Sequence, residues 1–154
     1  MDAQRAFVLW LHIVAAATWI GGIIFFAAAG RRLRALARLE GSNAFRVAAR
    51  VFRDLSWIAV AVLLVTGAAN LHALGLLQDF PRMIWDRAWL LWKLGLVAAM
   101  IVVKALHDFV IGPRGASNPG SRAWFRAAMV AGWLNLVLGL AVFYLALRIA
   151  RGAW

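Results

Sequence analysis

Three stretches carry side chains able to hold a metal or meet an anion inside apolar sequence: "WLHIVAAATWIGG" with His12, "TGAANLHAL" with His72 and "LLWKLGLV" with Lys93. Tyr144 stands in a fourth apolar run. At 1.5 Å of rise per helical residue, His12, His72 and Lys93 each fall about five residues from the same end of their runs. Tyr144 lies close to that level and Asn70 slightly deeper, so four segments each contribute a polar group to one layer. Two neutral imidazoles on neighbouring helices ligate a haem iron axially, and a four-helix bundle has room for the macrocycle. His12 and His72 are therefore the expected iron ligands, and Lys93, Arg82, Arg87 and Arg148 the cations for the propionates. Trp10, Trp89 and Trp92 would wall the ring or belong to the interfacial aromatic belt.

Copper is the competing metal. Soft Cu(I) favours thiolates and thioethers, yet the chain has no cysteine, and Met1, Met83, Met100 and Met129 are scattered. Residue chemistry thus ranks haem b ahead of copper, with a bundle holding no cofactor as the third reading. Lysine usage adds a hint: the only two lysines, Lys93 and Lys104, share one apolar run, while the other basic residues are all arginine. A lysine there supplies a compact cation for an anionic group, or it snorkels to the interface. His107 lies roughly 20 Å from the His12 level and cannot share a ligand with it. Its neighbour Asp108 is placed to pair with Lys104 four residues earlier or with Arg114, a cluster that reads as a structural lock.

The elements that must position these groups follow from composition. Of the 154 residues 65% are hydrophobic and 15% charged, with a mean hydropathy of +0.81, whereas soluble domains are about a quarter charged. Apolar runs over about 7–29, 55–77, 88–111 and 124–149 each reach the roughly 20 residues that cross a bilayer. Backbone groups in lipid must be bonded within the segment, so the spans are helices. The expected fold is an all-α membrane protein, a single domain over 1–154, built as an antiparallel bundle of four transmembrane helices. Small residues recur at helical spacing, among them Gly21, Gly22, Ala128, Gly132 and Gly139, and allow close helix packing.

The net charge of +11 gathers at the span ends, which argues for anionic lipid and against nucleic acid. Seven arginines from Arg31 to Arg53, joined by Arg114, Arg122 and Arg126, load one side, against Arg5, Arg82, Arg87, Arg148 and Arg151 on the other. By the positive-inside rule both termini face outward, periplasmic in a cell that has a periplasm, and the protein sits in the inner (cytoplasmic) membrane. The basic cluster after the first run acts as a stop signal, so that run is expected to be kept as a span. Residues 31–53 are expected to extend two spans or to lie on the membrane surface. "IGPRGASNPGSR" is expected to be a loop.

The motifs "LH…TWIGG" and "WLLWKLGLV" resemble the HemJ-type protoporphyrinogen oxidases. "RVFRDLSWIAVAVLLVTGAAN" and the basic start of the fourth span resemble the related CopD-type copper-resistance proteins. The HemJ resemblance implies four spans, bound haem b, and functional roles for the histidine and lysine that match His12 and Lys93, the latter as a catalytic residue beside porphyrin. The bound haem would then pass electrons from the porphyrinogen to a membrane acceptor such as quinone. The CopD resemblance implies copper transport or tolerance. An accessory subunit of a larger membrane complex, or a homo-oligomer, is a further expectation from the small-residue faces.

Overall fold

The computed structural model describes residues 3–73, 75, 88–118 and 120–150, and these are all helix or short turns with no strand among them. Four helical segments are long and apolar enough to cross a membrane. The chain divides into two compact units, Met1–Phe80 and Pro81–Trp154, and each is a helical hairpin. Arg82, Arg87 and Arg151 lie outside the described residues.

The first hairpin pairs α1 (Ala3–Leu39) with α2 (Ala44–Ala73). At 37 residues, α1 is roughly 55 Å long, well beyond the ~30 Å hydrocarbon layer. The arginine-rich segment accordingly extends both spans, one of the two forms expected for it. The turn follows from "EGSN". Gly41 takes a left-handed φ of 61°, where a Cβ would be strained. This lets Ser42 N–H reach Ala37 O at 2.8 Å and Gly41 N–H reach Arg38 O at 3.2 Å, the paired bonds that satisfy a helix's last carbonyls.

Ala15 and Trp19 on α1 and Ser56, Ala59, Val60 and Thr66 on α2 are buried, so the four- and three-residue stripe below His12 does face inward. At the basic end the hairpin closes on aromatic rings. Phe26 lies 5.1 Å from Phe52 and 6.2 Å from Phe45, centroid to centroid, and Arg34 caps Phe45 at 4.9 Å. The Phe52 ring occupies the space a side chain at position 22 would need, since a Cβ on Gly22 would run into it.

The second hairpin pairs α3 (Ala88–Leu106) with α5 (Arg122–Ala150). Between them a π-helical turn, His107–Ile111, leads into α4 (Gly112–Ser117). The loop expected over "IGPRGASNPGSR" is thus partly helix, with Ser117 its last helical residue. Pro113 explains the local geometry: its ring collides with a carbonyl four residues back in a regular helix. The widened turn, in which Gly112 N–H bonds His107 O, relieves that crowding and the chain continues helically. Arg148 over Trp89, at 5.0 Å, and Arg114 over Trp124, at 5.8 Å, fix the antiparallel register. Leu90, Met100 and Lys104 then face Ala131, Asn135 and Leu145 as the buried positions.

Gly22→Ala should lower the stability of the detergent-solubilised protein by about 1–3 kcal/mol, because the Phe52 ring has to be displaced. Thermal unfolding measures this, and adding Phe52→Leu should recover part of the loss.

Candidate functional site

In the first hairpin the His12 ring packs against α2. Its Nδ1 lies 2.8 Å from Thr66 Oγ1, and a Cβ on Gly67 would sit 3.7 Å from His12 Cε1. The Thr66 hydroxyl itself donates to Val62 O at 2.6 Å. A hydroxyl has one hydrogen, so with that hydrogen committed to Val62 the oxygen meets His12 as an acceptor. Nδ1 is then a protonated nitrogen that donates to Thr66. A hydrogen bond at one ring nitrogen that sets the tautomer and aims the other is how proteins prepare an imidazole for a metal. Thr66 is 4% exposed, so this relay is screened from water.

Thr66 was not among the expected functional residues, where "TGAA" counts only as a small-residue patch. The signal was present: a threonine inside a span bonds back to the carbonyl four residues earlier, and its oxygen still has to be used. Its position opposite His12 required the hairpin register.

His72 is placed differently from the expectation. It lies six residues beyond Thr66 along α2, roughly 9 Å farther toward the helix end, and it is exposed. The stripe Ala61, Val65, Ala68 and His72, expected to face inward, is exposed throughout, Val65 at 71%. The shared level of His12 and His72 is therefore not observed, and the structure does not bring the two imidazoles together. The difference arises because α2 enters the hairpin several residues out of step with its apolar run. Instead His72 borders a cleft of about 380 Å³ at the α1–α2 end, with Gln4, Arg5 and Asn70 as the other polar lining groups. Gly75 (φ 70°) closes the last turn of α2 by bonding His72 O at 2.9 Å.

In the second hairpin the register set by Trp89 and Arg148 places Lys93 opposite Tyr144, the common level expected of them. Lys93 is half-buried, and Tyr144, 56% exposed, lies on an outer face of α5. Farther along, Lys104 Nζ meets Asp108 Oδ2 at 2.7 Å and His107 Nδ1 meets Asp108 Oδ1 at 2.9 Å. The Lys104–Asp108 pairing was one of two expected; the bridge to His107 was not. The Lys104 and Asp108 side chains are 6% and 9% exposed, against 41% for His107.

Among the described residues no group of three or more His, Cys, Asp or Glu side chains is placed to enclose a metal ion. Met100 is buried and Met129 is 41% exposed.

These features define an integral membrane protein of helical hairpins, its few intramembrane polar groups tied into short relays. The chain belongs to the copper resistance protein D (CopD) family, whose model matches residues 46–149, more than half of the sequence. The match begins on α2, so it includes Thr66, His72, Lys93, Lys104, Asp108 and Tyr144 but not His12. A protein of Aquifex aeolicus (strain VF5) described as uncharacterized is 28% identical over 153 residues, 99% of each chain, and extends the similarity through α1. No solved structure matches the chain.

Two outcomes follow. In ¹⁵N spectra of histidine-labelled protein, His12 should appear as the Nδ1–H tautomer, and Thr66→Val should abolish that preference and cost about 1–3 kcal/mol by stranding a buried donor. Asp108→Ala should cost about 3–5 kcal/mol in thermal unfolding by leaving the Lys104 ammonium without its carboxylate, whereas Lys104→Leu with Asp108→Leu should be nearly neutral.

Proposed function

We propose that the protein acts in copper resistance at the cytoplasmic membrane, with both termini outside, and that His12 is the point at which the first hairpin holds the metal ion. The observation that carries this reading is the relay from His12 Nδ1 through Thr66 to Val62 O, which fixes the ring of an imidazole inside the span. Membership of the CopD family supplies the metal. Copper is cargo here. A single prepared imidazole, with no cysteine in the chain and no cluster of three acidic, histidine or cysteine groups among the described residues, suits an ion that is passed on, since tight Cu(I) storage draws on several soft donors. His72, beside Arg5 and Asn70 at the hairpin end, would be a separate contact nearer the membrane surface.

The second reading keeps His12 as an axial ligand of haem b. One observation favours it: a single imidazole with a fixed tautomer is the whole of what a haem iron asks of one helix. In that reading Lys93, with Tyr144 at its level, serves an anionic group such as a propionate or a porphyrin substrate. Electron transfer or porphyrinogen oxidation with a quinone acceptor would be the activity.

Metal analysis and a reduced-minus-oxidised absorption spectrum on protein purified from copper- and haem-sufficient cells separate the two. Copper should co-purify and fall several-fold in His12→Ala, while His72→Ala has a smaller effect. Expression in a copper-sensitive bacterial host should change copper tolerance in a His12-dependent way. A Soret band lost in His12→Ala, with no copper bound, would install the haem reading instead, and porphyrinogen turnover with added quinone would then test for the oxidase.

A further inference from the structure

The end of the first hairpin away from its arginine-rich turn collects polar side chains that neither the copper nor the haem reading employs as a group. The cleft of about 380 Å³ there has Gln4, Arg5 and Val8 of α1 and Ala69, Asn70 and His72 of α2 among its walls. Its polar members share one property: each can donate. A guanidinium carries five N–H groups and a side-chain amide two, and an imidazole offers at least one in either tautomer. No hydrogen bond or ion pair among the described residues engages the side chains of Gln4, Arg5, Asn70 or His72. No carboxylate stands among the described lining groups. Such a cleft has donors to spare and a guanidinium charge to match, and that inventory selects an oxygen-rich anion.

Depth narrows the anion. From Arg31 to Arg5, α1 rises roughly 39 Å, close to the ~40–45 Å of a bilayer counted with both headgroup layers. With Arg31 among the headgroups of one leaflet, Arg5 lies among those of the other, where the phosphates are. The α2 face that ends at His72 continues through Ala68, Val65 and Ala61, three and four residues apart and exposed throughout, Val65 at 71%. This stripe runs roughly 17 Å from His72 to Ala61, about half of the ~30 Å hydrocarbon layer and so one leaflet deep. Its two alanines leave a shallow apolar track that starts at the cleft. A phospholipid joins a phosphate to an acyl chain in one molecule and uses both features; a free anion uses only the first.

We propose that the cleft is a phosphate-binding site whose bearer is a phospholipid, with an acyl chain lying along Ala68, Val65 and Ala61. The Arg5 fork suits the two non-bridging oxygens of a phosphodiester, since guanidinium pairs with phosphate through parallel bonds. Gln4, Asn70 and His72 supply donors for the remaining lone pairs. A lipid held this way joins the start of α1 to the end of α2 and fixes the depth of the hairpin in its leaflet. The site uses neither His12 nor Thr66 and stands whichever metal the protein handles; at His72 a phosphate and a metal ion are alternative occupants.

Calorimetric titration of the full chain in dodecyl maltoside, a detergent without phosphate, tests this and separates the two sources of the anion. Phosphatidylglycerol should bind, inorganic phosphate should bind far more weakly, and diacylglycerol with the same chains should bind hardly at all. Arg5→Gln, at an exposed position that does not threaten the fold, should weaken phosphatidylglycerol about tenfold or more. Arg50→Gln removes the same charge from the other end of the hairpin and should leave that affinity unchanged. Ala68→Trp should obstruct the track and weaken the phospholipid without altering the response to inorganic phosphate. Equal affinity of the native chain and Arg5→Gln for phosphatidylglycerol would overturn the proposal, as would an equal loss in Arg50→Gln or diacylglycerol binding as tight as that of the phospholipid. Arg5-dependent binding of inorganic phosphate as tight as that of phosphatidylglycerol would overturn the lipid as the bearer.

Discussion

A polar group inside a bilayer has to find its partner within the protein, because lipid offers none. Nearly everything distinctive in this chain follows from that constraint. It makes the apolar runs helical, and it ties Ser56 Oγ to Arg53 O and Thr66 Oγ1 to Val62 O. It also leaves the few side chains that exceed local bonding as the groups that report function. His12 is the plainest case. Thr66 bonds back to its own helix and, in doing so, turns its oxygen toward the imidazole, so a routine backbone bond becomes the device that sets a tautomer.

The same constraint shapes the second hairpin with opposite chemistry. Lys104 and Asp108 are buried as a pair because neither can be buried alone at tolerable cost. Pro113 forces a wide turn over His107–Ile111 that includes Asp108, and in that turn His107 joins the pair. The first hairpin thus holds an imidazole–hydroxyl relay, and the second a charged pair joined by a half-exposed imidazole.

Much of the membrane architecture was legible without coordinates. Span number and helical character follow from run length and the need to satisfy the backbone, and the inward stripe of Ala15 and Trp19 follows from spacing alone. The i, i+4 pairing of Lys104 with Asp108 is equally local. Two expectations failed for want of tertiary information. His72 was assigned a common depth with His12 by counting from the ends of apolar runs, but the hairpin register is set by the Phe26–Phe52 contact and the room left at Gly22, and those place His72 farther out and on an exposed face. The segment after Ile111 has a loop's composition, yet a π turn accommodates Pro113 and the helix goes on.

By itself the sequence determined the class of the protein, its spans and the short-range pairs, because these depend on hydrophobic run length and on contacts within one or two turns of the same helix. Tertiary structure alone decided which polar groups meet across helices: Thr66 with His12, and Arg148 with the Trp89 ring. Those meetings depend on axial register and rotation, and a slip of one residue, 1.5 Å and 100° on a helix, is enough to exchange one partner for another.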